Sequence, residues 1–287
     1  MNNKDSFLRY LASKTTVDNR ALNQGAWQQL LGSLSDFSEN RPLRILEIGA
    51  GIGTMVERLL SQAKLPPTIY TAVDINSAAM DLAKRRLKNL PPQIELHLKT
   101  QDVFEFIDLH QDHDSWDLII AHAFLDLVDL SSTIPKLFSL LQPGGLFYFT
   151  LNFDGSTILE PHIDRAFDAE IEARYHQTMD DRITNTKPSG DSQTGRHLFK
   201  HLIASGGEIL SAGSSDWVVF AGKEGYLADE AYFLGYIINT IGSALEHCSE
   251  LDQTRFKEWL AQRHAQIDRN ELIYIARQLD FFGKVTP

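Results

Sequence analysis

Three carboxylates stand at or near the ends of three successive apolar runs. Glu47 lies within Leu43 to Ile48, Asp74 closes residues 68–74, and Asp102 follows residues 93–99. Placed there, they can accept hydrogen bonds from a ligand's hydroxyls or amino group. After the first run glycine recurs at alternate positions, Gly49, Gly51 and Gly53, with Ala50 between the first two. Backbone without Cβ atoms lets a flat ligand lie against the chain. One acid at a strand end is ordinary, but three in register behind a glycine turn point to a common site. His122 follows a fourth apolar run, and its neutral imidazole could accept a proton near pH 7. A histidine packed there for structural reasons is the competing reading.

Only a sheet can bring these residues together. Short strands are expected at 43–48, 68–74, 93–99, 116–121 and 146–152, with helices at 54–63, 77–88, 103–109 and 132–141 between them. Strands alternating with helices of this length imply βαβ units and a parallel sheet covered on both faces. Residues 1–42 read as helices, with Phe7, Leu8 and Leu11 on one and Leu22, Trp27, Leu30, Leu31 and Leu34 on another, before an Asn40-Arg41-Pro42 break. Beyond Asn152, Ile163, Phe167, Ile171, Tyr175 and Met179 recur at helical spacing, a polar loop spans 181–194, and a helix is expected at 195–205. Two closures of the sheet fit the remaining residues. One is a hairpin of 208–213 with 216–221; the other, preferred, places the sixth strand within 208–220 and the seventh at 272–276, with the helices of 227–266 inserted as a cap.

The glycine pattern is not that of a dinucleotide turn, because Thr54 stands where GxGxxG needs its third glycine. Leu46-Glu47-Ile48-Gly49-Ala50-Gly51-Ile52-Gly53 resembles instead the first motif of the class I S-adenosylmethionine-dependent methyltransferases. Asp74-Ile75, Asp102-Val103, Asp117 to His122 and Leu141-Gln142-Pro143-Gly144-Gly145 match the later motifs in order, over about 43–152. The resemblance implies a Rossmann-like α/β fold: a seven-stranded, mostly parallel sheet with helices on both faces and a helical cap from the N-terminus and insertions. The chain reads as one domain over 1–287, comprising N-terminal helices (1–42), cofactor core (43–152), insertion (153–194), core (195–222), cap insertion (223–268) and final strand (269–287), since neither insertion has enough apolar content to stand alone. The resemblance also implies S-adenosylmethionine as cofactor and S-adenosylhomocysteine as product. Glu47, Gly49, Ala50, Gly51 and Gly53 would seat the methionine part, Asp74 the ribose, Ile75 the adenine face, and Asp102 and Val103 the adenine edge. Ala121 and His122 would lie near the reactive end, with His122 the candidate base.

Composition narrows the acceptor. A net charge of −11 disfavours nucleic acid as partner. The densest basic cluster, Lys84-Arg85-Arg86 with Lys88, reads as a solvated helix face. No membrane span, signal sequence or metal site is expected, and a single cysteine, Cys248, excludes an internal disulfide and fits the cytoplasm. No motif after strand four marks a base-amino, cytosine-carbon or ribose methylase. A small soluble acceptor, methylated at oxygen or nitrogen, is therefore expected; the alternatives are a nucleic-acid or protein methyltransferase, transfer of another group, or a non-catalytic cofactor-binding module. Candidate acceptor contacts are Asn152, Asp154, Tyr175, His176, Asp180, Arg182 and Arg196, with Asn19, Arg20, Asn23 and the Ser215-Asp216-Trp217 step as further polar positions. Tyr175 shares its helix's apolar stripe and also reads as core. Oligomeric state is not encoded in any of these features.

Overall fold

The computed structural model describes residues 3–37, 41–110, 115–184 and 187–286. Asn40, in the expected break, and residues 185 and 186 of the polar loop lie outside that set. Three helices open the chain: α1 (Asn3–Ser13), α2 (Thr15–Ala21) and α3 (Gln24–Ser35). The alternation then runs β1 (Leu43–Ile48), α4 (Thr54–Gln62), β2 (Thr68–Asp74), α5 (Ser77–Arg86), β3 (Ile94–Thr100), α6 (Val103–His110) and β4 (Trp116–His122). A 3-10 turn (Leu125–Leu127), α7 (Leu130–Ser139) and β5 (Leu141–Glu160) come next. The second half holds α8 (Arg165–Asp180), a small ribbon of β6 (Ile183–Thr184) and β7 (Lys187–Pro188), α9 (Thr194–Ala204), β8 (Gly207–Ser214) and β9 (Trp217–Val219). It ends with α10 (Glu230–Leu245), α11 (Gln253–Asp268) and β10 (Ile273–Val285).

Strand order across the main sheet is β3-β2-β1-β4-β5-β10-β8. Strands β1 to β5 are parallel, and β10 runs antiparallel to both neighbours. β8 and β9 lie end to end along one edge of β10, so eight strands fill seven positions. Strand order reverses between β1 and β4, and a ligand crevice forms outside the carboxyl ends of strands at such a point.

The apolar runs form strands because they are buried on both faces. In β4 every residue is buried; Leu118 and Ile120 enter the core under α3 and α4, while Ile119 and Ala121 enter the core with α6, α7 and α9. Side chains alternating across one strand bind helices to both faces. Asn76 caps α5 by accepting from Ala79 N, and Asp129 caps α7 by accepting from Ser131 N and Ser132 N.

The fifth strand starts at Leu141 rather than 146, a short ribbon lies within the expected polar loop, and two strands run well past their expected ends. The fifth strand continues past Asn152 to Glu160, and the last strand continues past 276 to Val285. Together they rise beyond the sheet's carboxyl edge, where Ile273 to Gln278 pairs with residues 153–160. Polar residues that read as strand breaks are absorbed by tertiary partners: buried Asp280 accepts from Leu151 N at 2.7 Å and Asn23 N at 2.8 Å. Register shifts at Ala276/Gln278 and Leu279/Phe281 accommodate the bend. The hairpin alternative is excluded, since β8 and β9 each pair with β10. Against this raised part α10 packs on α1, α8 and α11. Among the described residues no helix is long and apolar enough to cross a membrane.

Candidate active site

The glycine turn after β1 is left-handed at all three glycines, with φ of +66° at Gly49, +54° at Gly51 and +80° at Gly53. A Cβ on Gly49 would stand 2.7 Å from a ring carbon of Phe124, and one on Gly53 would stand 2.7 Å from a methyl of Leu87. The first glycine thus lets the Phe124 ring approach the turn, and the third serves packing between α4 and α5. Asp74 ties the turn to the end of β2: Gly51 N donates to Oδ2 at 2.8 Å and Asn76 N to Oδ1 at 2.8 Å. Asp102 caps α6, its Oδ1 accepting from Phe104 N at 2.8 Å and Glu105 N at 3.2 Å. Glu47 is buried and accepts from the Tyr70 hydroxyl at 2.7 Å. Burial pushes its carboxyl up to about 7, against the opposing pull of that hydrogen bond and of the Arg58 charge.

These strand ends meet in a cavity of about 410 Å³. Glu47, Gly49, Ala50, Gly51, Asp74, Ile75, Asp102, Val103 and His122 all line it. Ala121 does not, being wholly buried in the core below, and neither does Gly53. Further lining comes from Phe7 and Leu11 on α1, from Lys14 at the α1–α2 junction, and from Phe124 and Leu127 after β4. Ile75 is 69% exposed, an aliphatic face offered to the cavity rather than to a core. Carboxylates at two strand ends, with an apolar plate between them, fit a nucleoside: hydroxyls and amine at the acids, a flat base on the isoleucine. Among the described residues no His, Cys, Asp and Glu grouping could hold a metal ion.

His122 sits at the inner end. Its Nδ1 lies 2.7 Å from Thr150 Oγ1 and its Nε2 lies 3.3 Å from Asp18 Oδ2. Burial alone would raise Asp18, but the Lys14 charge and the His122 contact outweigh it and hold the carboxyl well below its ordinary value. Burial, only partly countered by Asp18, pushes His122 down to about 4. An ionised Asp18 therefore requires the Nε2–H tautomer, leaving Nδ1 to accept from the Thr150 hydroxyl. Both ring nitrogens of the expected base are engaged by the protein.

The expected acceptor contacts do not line this cavity. Asn152 donates from Nδ2 to Leu279 O at 2.8 Å. Buried Asp154 pairs with Arg196 at 2.7 Å and Arg277 at 3.2 Å. His176 Nε2 lies 3.0 Å from Thr157 Oγ1, and Arg182 donates to Asp126 O at 3.5 Å. Tyr175 packs half-buried against the core, where burial pushes its phenol up to about 12. Asp180 accepts from Ser192 N at 2.7 Å. In the N-terminal group Asn19 accepts from Arg58 Nε at 2.9 Å, Arg20 pairs with buried Glu230, and Asn23 caps α3. Trp217 Nε1 donates to Asp18 Oδ1 at 2.9 Å, Asp216 accepts from Gln278 N at 3.1 Å, and Ser215 is buried beside them.

Sequence reasoning missed Lys14, Asp18, Phe124 and Leu127 as parts of the site. One signal was available: Phe7, Leu11 and Lys14 keep the spacing of one helix face, with the cation ending an otherwise apolar stripe.

A methyltransferase domain model matches residues 46–147. The malonyl-[acyl-carrier protein] O-methyltransferase of Priestia megaterium is 34% identical over 135 residues, 47% of this chain and 45% of that protein. The ubiquinone/menaquinone biosynthesis C-methyltransferase of Methylobacterium nodulans is 28% identical over 166 residues, 56% of this chain and 62% of that protein. The chain thus spans less than two thirds of the length of these curated relatives. A solved SAM-dependent methyltransferase from Thiobacillus denitrificans, in complex with S-adenosyl-L-homocysteine, is similar over 96% of this chain and 98% of its own, with 14% identity and a TM-score of 0.48. The matched span carries the glycine turn and all three strand-end acids, and over it the chain is similar to S-adenosylmethionine-dependent methyltransferases.

Proposed function

We propose that the chain transfers a methyl group from S-adenosylmethionine to a small soluble molecule at oxygen or nitrogen. The observation that carries this reading is the common cavity into which Asp74, Ile75, Asp102 and the glycine turn all face. When bound, the cofactor supplies an electrophilic methyl group on a sulfonium. The chain's own residues bind and align. Each Asp74 oxygen holds one backbone N–H and retains a lone pair for a ribose hydroxyl. Ile75 and Val103 offer apolar surface to the base, and Asp102 a carboxylate to its edge. His122, with both nitrogens engaged, acts as a positioning residue that fixes β4 against α2 and shapes the inner wall.

Methyl transfer then rests on in-line alignment and exclusion of water, which together can account for much of such a rate. The roof formed by α1 and an acidic surface both favour a small acceptor over a polymer with a phosphate backbone. Incubating the protein with S-adenosylmethionine and fractionated small metabolites, and measuring S-adenosylhomocysteine, tests the reading. Product should form with a low-molecular-weight fraction. Turnover confined to protein or nucleic-acid fractions, falling steeply with salt, would overturn the acceptor class.

A further inference from the structure

The cavity lining includes one buried acid, Glu47 on β1, and one cation, Lys14. Lys14 stands at the junction of α1 and α2, its N–H bonded to Tyr10 O at 3.1 Å and its carbonyl accepting from Asp18 N at 2.9 Å. Only 11% of its side chain is exposed. The ammonium lies 3.2 Å from Asp18 Oδ2 and 5.6 Å from the centre of the Trp217 ring. Asp18 is itself fully engaged, by Lys14 and His122 at Oδ2 and by Trp217 at Oδ1. An ammonium has three donors, and this carboxylate takes one of them. Lys14 lines the cavity, and no other carboxylate is paired with its ammonium among the described residues. A carboxylate there would complete a charge-assisted set that Asp18 holds in place.

Resting on the methyltransferase reading above, we propose that Lys14 binds the carboxylate of the cofactor's methionine tail. Asp18 is then a positioning residue that aims the ammonium, and Glu47 is the acid facing the tail's own ammonium. The tail's carboxylate then meets the Lys14 ammonium, and its ammonium meets the Glu47 carboxyl. The α1–α2 junction thereby belongs to the cofactor site, although it lies outside the strand-end motifs. It is anchored from both sides, by Thr16 and Arg20 on buried Glu230 and by Asn19 on Arg58. The same anchoring keeps the ammonium from swinging into solvent.

The test uses calorimetric titration of the full chain with two ligands. One is S-adenosylhomocysteine; the other is its decarboxylated analogue, which keeps the adenosine, the sulfur and the amine but lacks the carboxylate. Lys14→Met keeps the stem, and its thermal unfolding is measured beside wild type to establish that it folds. The expected result is an about 10- to 100-fold loss of S-adenosylhomocysteine affinity in Lys14→Met, with partial retention in Lys14→Arg and unchanged binding of the analogue. Equal weakening of both ligands would make Lys14 a structural residue and overturn the proposal, as would unchanged affinity for both. Wild type binding neither ligand would sink the methyltransferase reading itself, a result distinct from either.

Discussion

Replacing Glu47 by glutamine should make the protein's stability less dependent on pH. In the folded chain the carboxyl is pushed from its ordinary 4.5 up to about 7, first by burial and also by the nearby Asp74 charge, against the Tyr70 hydrogen bond and Arg58. A raised folded value means that the folded state holds its proton more tightly than the unfolded chain does. The contribution is therefore fully present below 4.5 and is lost as pH rises through 7. At about 1.36 kcal/mol per pH unit the gap corresponds to about 3 kcal/mol at alkaline pH. Glutamine keeps the shape, can accept from the Tyr70 hydroxyl, and does not ionise. Urea unfolding of ligand-free protein at pH 5 and pH 8.5 measures the effect. Wild type and Glu47→Gln should be close at pH 5, and the variant should be the more stable at pH 8.5 by about 3 kcal/mol. His122 works in the opposite sense, its folded value of about 4 costing stability as pH falls below its ordinary 6.5. Both unfolding series share that term, so it cancels in the difference. A difference between the two proteins that does not change with pH would refute the account of Glu47.

The geometry sets three other outcomes. His122→Ala should retain turnover within about tenfold, since its nitrogens are committed to Thr150 and Asp18; a loss nearer the 10²–10⁴ typical of a removed base would show that it takes the acceptor's proton. Arg196→Met should lower stability by about 1 kcal/mol while leaving KM for the cofactor unchanged, because Asp154 keeps Arg277 and neither lines the cavity. Gly49→Ala should cost about 1–3 kcal/mol in denaturant unfolding, since a left-handed φ of +66° coincides with a Cβ 2.7 Å from Phe124; unchanged stability would mean that the ring moves aside freely.

The first five strands and the glycine turn were legible because their signals are local. A strand buried on both faces reads as an unbroken apolar run, as in Trp116 to His122, and proline or glycine marks the turns. The carboxylates at 47, 74 and 102 were legible as a set because the sheet repeats at a fixed interval and delivers each to the same edge. The last strand was harder. Arg277, Gln278 and Asp280 break its apolar pattern; Arg277 is exposed and pairs with Asp154, and buried Asp280 is satisfied by the distant backbone of Asn23 and Leu151. The same reason hid Lys14 and Asp18. Asp18 meets His122 across 104 positions and Trp217 across 199, and no periodicity in a short helix announces partners so far away. Asp154 and Arg196 failed in the converse way. They look like ligand groups in sequence, and in the fold they satisfy each other.

The central claim is that the cavity between the glycine turn and α1 holds S-adenosylmethionine with its ribose on Asp74. Calorimetric titration of S-adenosylhomocysteine into wild type and Asp74→Ala tests it most directly. Wild type should bind one equivalent, and the variant should bind about 1–3 kcal/mol more weakly, having lost a charged acceptor that faces the cavity. No heat of binding to wild type, or equal affinity in the two proteins, would contradict it.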